Sequence, residues 1–80
     1  MKVVFFAQTK ELVGVDSLNV EEHYATVSEL RDALCRRGEQ WHKALSAPNL
    51  VVAINHEIMT FDASLSSNDD VAFFPPVTGG

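Results

Sequence analysis

The sequence predicts an α+β domain in which a mixed sheet wraps around one main helix. Three observations carry the prediction. β-branched and aromatic residues crowd residues 2–7, an apolar stripe at helical spacing occupies the middle, and short apolar runs separated by turn residues fill the second half. Eighty residues make one domain. A chain of that size buries only roughly 60% of the surface it exposes unfolded, so its stability is modest and a deep enzyme cleft has little room. With 46% hydrophobic and 21% charged residues and no low-complexity stretch, the composition excludes a disordered or fibrous chain.

Taken in order, residues 2–7 read as a strand, residues 8–14 as a polar, turn-bearing connection and residues 18–22 as the return strand. Thr26 followed by Glu29 forms a capping box, in which each side chain bonds an orphaned amide at a helix start. Val27, Leu30, Leu34 and Trp41 then recur at helical spacing. Arg36 and Arg37 suit the negative end of the dipole, and Gly38 takes the left-handed cap, so one amphipathic helix ends near Gly38. Residues 39–45 form a second short helical piece that Pro48 closes, because the residue before a proline disfavours helix. The apolar run 50–54 suits a strand covered on both faces, and Asn55-His56 turns it into a partner strand at 58–61. Residues 66–70 make a polar turn before a last strand at 71–74, which Pro75 ends or places at an edge. No internal repeat or domain boundary interrupts this order. Strand, strand, helix and several further strands within 80 residues is the pattern of the β-grasp or ubiquitin-like fold, with residues 1–74 as the domain and 75–80 as an extended tail.

Charge and cysteine usage narrow the classes of function. Six basic against eleven acidic residues give a formal net charge of −5, without the basic patch that a phosphate backbone requires, so no nucleic-acid partner is expected. The apolar opening is too brief for a signal sequence or a membrane span, and a cytoplasmic location is expected. Cys35, the single cysteine, forms no internal disulfide and reads as an inert small hydrophobe on a helix rather than as a sulfur carrier. His23, His42 and His56 are dispersed without ligand spacing, so no metal site is predicted. Asp69 and Asp70 belong to a turn rather than to a catalytic carboxylate pair.

The remaining signal lies after Phe74, in Pro75, Pro76, Val77, Thr78, Gly79 and Gly80. Two prolines stiffen the exit from the sheet and resist folding back, and six extended residues reach on the order of 20 Å. Two glycines without Cβ atoms let the last backbone atoms pass a narrow channel and approach a nucleotide or substrate closely. An α-carboxylate, ionised at neutral pH, is a poor electrophile, so its use as a carrier requires activation such as adenylation. A sulfur acceptor step then yields a thiocarboxylate, whose soft anionic sulfur is a strong nucleophile. A terminal glycine pair alone is weak evidence, since frayed ends also carry it.

The run Phe73-Phe74-Pro75-Pro76-Val77-Thr78-Gly79-Gly80 resembles the closing signature of molybdopterin synthase small subunits, and Phe5-Phe6-Ala7, Glu11-Leu12 and residues 52–55 resemble that family as well. Lys10 stands where the resemblance leads one to expect arginine, which keeps the charge but removes a planar bidentate donor. The resemblance implies that an adenylating enzyme related to the ubiquitin activators consumes ATP to charge Gly80, and that a sulfurtransferase supplies sulfur. It further implies that the tail, Pro75 through Gly79, inserts into a large subunit, within a heterotetramer of two large and two small subunits. There the sulfur passes to cyclic pyranopterin monophosphate to build the molybdopterin dithiolene. The chain would be a cosubstrate rather than a catalyst, with no permanently bound cofactor.

Adjacent strand residues face opposite sides, so one phenylalanine of each of the pairs Phe5-Phe6 and Phe73-Phe74 looks away from the core. By the resemblance, Phe6, Ile58 and Phe74 form an outward apolar patch that docks the large subunit and the adenylating enzyme. The competing expectation is that loops or the Trp41 segment cover those rings. Three other functions share the fold: a thiamine-type sulfur carrier, a ubiquitin-like protein modifier joined to lysines, and a plain interaction module. Fold alone decides among none of them.

Overall fold

The computed structural model describes residues 1–76. In chain order the elements are β1 (Lys2–Phe5), α1 (Ala7–Val13), β2 (Ser17–Asn19), α2 (Val27–Cys35), α3 (Glu39–Leu45), β3 (Val51–Ile54), β4 (Glu57–Met59) and β5 (Asp70–Phe74). The five strands form one mixed sheet in the order β2-β1-β5-β3-β4. β1 and β5 pair in parallel, and the other three pairings are antiparallel. The expected mixed sheet around a main helix is therefore present.

Strand alternation sets the core. Val3, Phe5, Val52, Ile54, Val71 and Phe73 point to one face, where they meet Val27, Leu30 and Leu34 of α2 and Ala44 and Leu45 of α3 in one buried cluster. Phe5 is central to it, stacked on Phe73 at 6.1 Å and met edge-on by the Trp41 ring at 5.4 Å. Trp41 thus packs on the helix-covered face and does not reach the outward rings.

At the start of α2, the Thr26 hydroxyl accepts the Glu29 N–H at 3.3 Å. Glu29 returns its carboxylate to the Thr26 hydroxyl at 3.4 Å rather than to the Thr26 amide, so half of the expected capping box forms. Residues 60–65 clip this end of the helix from outside, with Val27 N–H on Ala63 O at 3.1 Å and Ser28 N–H on Phe61 O at 2.8 Å.

Five expectations require correction. Residues 8–14 are not an irregular connection but the helix α1, closed by Gly14 in the left-handed conformation (φ 84°), its N–H bonded to Lys10 O at 2.9 Å. The first strand accordingly stops at Phe5, and the return strand is shorter than expected, at Ser17–Asn19. Gly38 is not a left-handed cap: α2 ends at Cys35, and Gly38 is the extended residue that starts α3. Finally, β4 runs Glu57–Met59 rather than to residue 61. Phe61 is drawn out of line to stack on Phe73 at 6.4 Å beneath the Arg31 guanidinium at 4.9 Å.

Candidate functional site

The strand that leads into the tail is β5, held by β1 on one side and β3 on the other. Phe73 is fully buried on the core face, and its carbonyl accepts the Phe6 N–H at 3.1 Å. Phe74 lies on the opposite face, half-buried, followed by a half-buried Pro75 and an exposed Pro76. The tail therefore leaves from one of the most firmly held strands of the sheet. Val77, Thr78, Gly79 and Gly80, the expected insertion segment and reactive group, lie outside the described residues.

The strand register builds the outward face row by row. Ser17, Val4, Ala72, Ala53 and Ile58 are aligned across all five strands, and Val51 pairs with Phe74 in the next outward row. Phe6 meets Phe74 edge to face at 6.3 Å. Phe6 is 50% exposed and Ile58 70% exposed, so both present apolar surface to solvent. Between them runs a groove lined by Val4, Phe6, Ala53, Ala72 and Phe74, with Lys2, His56 and Asp70 along its margin. A second depression, formed by Phe6, Ala7, Phe74, Pro75 and Pro76, continues it to the root of the tail. The structure thus puts Phe6 and Phe74 in contact and Ile58 on the same face, across the alanine floor. Ala53, Ala72 and Val4 were not singled out from the sequence, because only the pairing register reveals that they align.

The bystanders sit elsewhere. Cys35 is half-buried at the end of α2, packed against the core on the other side of the sheet, and burial pushes its thiol pKa up, opposed by nearby Arg31 and reinforced by Asp32. His23, His42 and His56 are exposed, and among the described residues no group of three His, Cys, Asp or Glu side chains could hold a metal ion. The Asp69 carboxylate accepts the Ser66 N–H at 2.8 Å and the Asn55 amide at 2.9 Å. Those bonds hold its pKa below the ordinary carboxylate range. Asp69 is a turn residue, as its sequence context indicated, whereas Asp70, expected in the same turn, is the first residue of β5 and pairs with Lys2. Among the described residues, no helix is long and apolar enough to cross a membrane.

Comparison with known proteins adds the family. The chain matches the ThiS family over residues 3–80. It is 45% identical to the molybdopterin synthase sulfur carrier subunit of Haemophilus influenzae over 80 residues, 100% of this chain and 99% of the relative. The subunit of the same name from Escherichia coli gives the same identity, 45%, and the same coverage, 100% and 99%. Among solved structures, the complex of subunits 1 and 2 of the molybdopterin-converting factor from Helicobacter pylori holds a chain similar at TM-score 0.69 and 25% identity, covering 99% of this chain and 96% of that one. The small archaeal modifier protein 1 of Haloferax volcanii gives TM-score 0.76 at 27% identity, covering 96% of this chain and 97% of the other. The mixed sheet and helix described above are accordingly the β-grasp fold of these ubiquitin-like proteins. By its full-length match, the chain belongs to the ThiS family and, within it, to the molybdopterin synthase sulfur carrier subunits.

Proposed function

We propose that this chain carries sulfur as a thiocarboxylate on Gly80 and delivers it to a molybdopterin synthase large subunit. The observation that carries the reading is that the family match runs through residue 80 and so includes the final Gly79-Gly80 pair. The Gly80 carboxylate attacks the α-phosphorus of ATP on an adenylating enzyme, pyrophosphate leaves, and an acyl-adenylate forms. A persulfide sulfur of a sulfurtransferase adds to the acyl carbon, AMP leaves, and a thiol reduces the acyl disulfide, itself becoming part of a new disulfide, so that the thiocarboxylate remains. In the large subunit that sulfur attacks a side-chain carbon of cyclic pyranopterin monophosphate, and a carbon–oxygen bond at that carbon breaks with its oxygen leaving as water or on the phosphate. Water then cleaves the resulting thioester to return the Gly80 carboxylate and leave the sulfur on the pterin. Two deliveries complete the dithiolene.

In this reading the domain supplies recognition and reach. The outward face with Phe6, Ile58 and Phe74 docks the partners, while Pro75 and Pro76 direct Val77, Thr78, Gly79 and Gly80 into the partner's active site. The pairing with a large subunit is supported by the Helicobacter pylori relative, described as a complex of subunits 1 and 2. Two copies of each subunit form the working heterotetramer. The chain is a cosubstrate rather than a catalyst, holds no permanent cofactor, and works in the cytoplasm with neither nucleic acid nor membrane as partner. The groove on its outward face is open and apolar, which suits protein docking better than nucleotide binding.

The test is intact mass after incubation with ATP, an adenylating enzyme and a sulfur source, beside a variant lacking Gly80. A gain equal to replacing one oxygen by sulfur, absent from the variant, is the expected result. An unchanged mass under conditions that charge another carrier would overturn it. Recovery of Gly80 in isopeptide bonds to lysines would instead favour a modifier, the role named in the Haloferax volcanii relative.

A further inference from the structure

We infer that Asn55 and Asp69 are positioning residues for docking, because their side chains clamp the β3–β4 hairpin onto the start of β5 and thereby fix Ile58 relative to Phe6 and Phe74. The inference rests on the outward face being the docking surface. Ile58 is 70% exposed, so its own packing does little to hold it in place. β4 has three residues, all exposed, and as an edge strand it pairs with β3 alone. Its link to β3 is the turn at Asn55 and His56, both in the left-handed region (φ 51° and 70°), which asparagine tolerates better than most residues and histidine adopts less readily.

What orients this weakly anchored hairpin is a set of bonds to the chain just before and within β5. The Asn55 amide nitrogen donates to one Asp69 carboxylate oxygen at 2.9 Å, and the Asn55 side-chain oxygen accepts the Asp70 N–H at 3.0 Å. The Asn55 backbone N–H donates to Asp70 O at 2.8 Å. The other Asp69 oxygen accepts the Ser66 N–H at 2.8 Å, which fixes the carboxylate that Asn55 grips. The β3–β5 register ends at Ile54 and Val71, so the clasp extends the ladder one step beyond its last regular pair. It sits at the start of β5, whereas Phe74 and the tail lie at the strand's other end. Loss of the clasp should therefore loosen Ile58 without disturbing the tail exit.

The test uses full-length Asn55→Gly and Asp69→Ala, singly and together, each charged with sulfur and assayed with the large subunit. Glycine keeps the left-handed turn while deleting the gripping side chain, and Asp69→Ala leaves the Asn55-His56 turn untouched while also freeing the Ser66 N–H. The expected result is a KM for the charged carrier raised about three- to tenfold in either single variant, the range corresponding to the net loss of an ordinary hydrogen bond. The double variant should lose less than the two singles combined, because both remove the Asn55–Asp69 bond, and turnover at saturating carrier should be unchanged. A wild-type KM in both singles, additive losses in the double, lowered saturated turnover, or failure of both singles to fold would each overturn the inference. Ile58→Asp in the same assay separates the two readings. If it keeps the wild-type KM, the docking surface itself is wrong; if it weakens docking while the clasp variants do not, only the clasp fails.

Discussion

Cys35 is the residue whose chemistry most invites confusion with sulfur carriage, and its surroundings argue the other way. Desolvation raises its thiol pKa, so at neutral pH a smaller fraction is thiolate than in an unhindered cysteine, and the thiolate is the reactive species. Alkylation by iodoacetamide at neutral pH should run severalfold slower than for a free cysteine and recover in denaturant, while Cys35→Ala should accept sulfur at Gly80 like the parent. Faster labelling in the folded protein, or loss of charging in Cys35→Ala, would give the thiol a role. The partial burial of Cys35 was readable from its place on a helix near the core stripe. Gly14 and Gly38 were not so easily read: each is followed or preceded by helical residues, but of the two only Gly14 has the positive φ that glycine accommodates most readily, and Gly38 is extended. A glycine in sequence announces a break without saying which helix it serves.

Of the three helices among the described residues, α2 was legible from its side-chain cap and α3 from its place before Pro48, whereas α1 was not. α2 begins at Thr26 because a hydroxyl there replaces a missing helical acceptor, and Thr26→Ala should lower unfolding free energy by about 1 kcal/mol, seen as a lower denaturant midpoint with an unchanged slope. No shift in the midpoint would mean that the clip from residues 60–65 alone holds the helix end. α1, by contrast, starts from Phe6 with no side-chain cap, and buries only Thr9 and Val13, too few positions for a period to show. Its stability comes from packing on α3 and β5, which is tertiary information. β4 ends earlier than expected for a related reason: Phe61 is apolar and suits a strand, but the Phe73 ring and the Ser28 amide of α2 claim it.

Across the whole molecule, the two faces of the sheet divide the work. The core face is filled by Phe5 and Phe73 beneath the helices, and the outward face carries Phe6 and Phe74 uncovered by any helix. Phe74→Asp should therefore leave a normal thermal transition yet abolish the complex with the large subunit; a folded variant that still binds would remove the outward face from the docking account. The doubled phenylalanines made this division legible from sequence, whereas the alanine floor between Phe6 and Ile58 was not, since it arises only when β1, β5, β3 and β4 come into register. That register has a further consequence in time. β1 and β5 come from opposite ends of the described chain yet lie side by side in the middle of the sheet, so the sheet closes only through contacts of high sequence separation, which form late and slowly. During synthesis, which proceeds from the N-terminus, a chain that has not yet made β5 has neither a finished core nor an outward face. Under the proposed function, an activating enzyme that recognises the assembled face would ignore nascent and truncated chains, and would charge only molecules whose last strand is already in place.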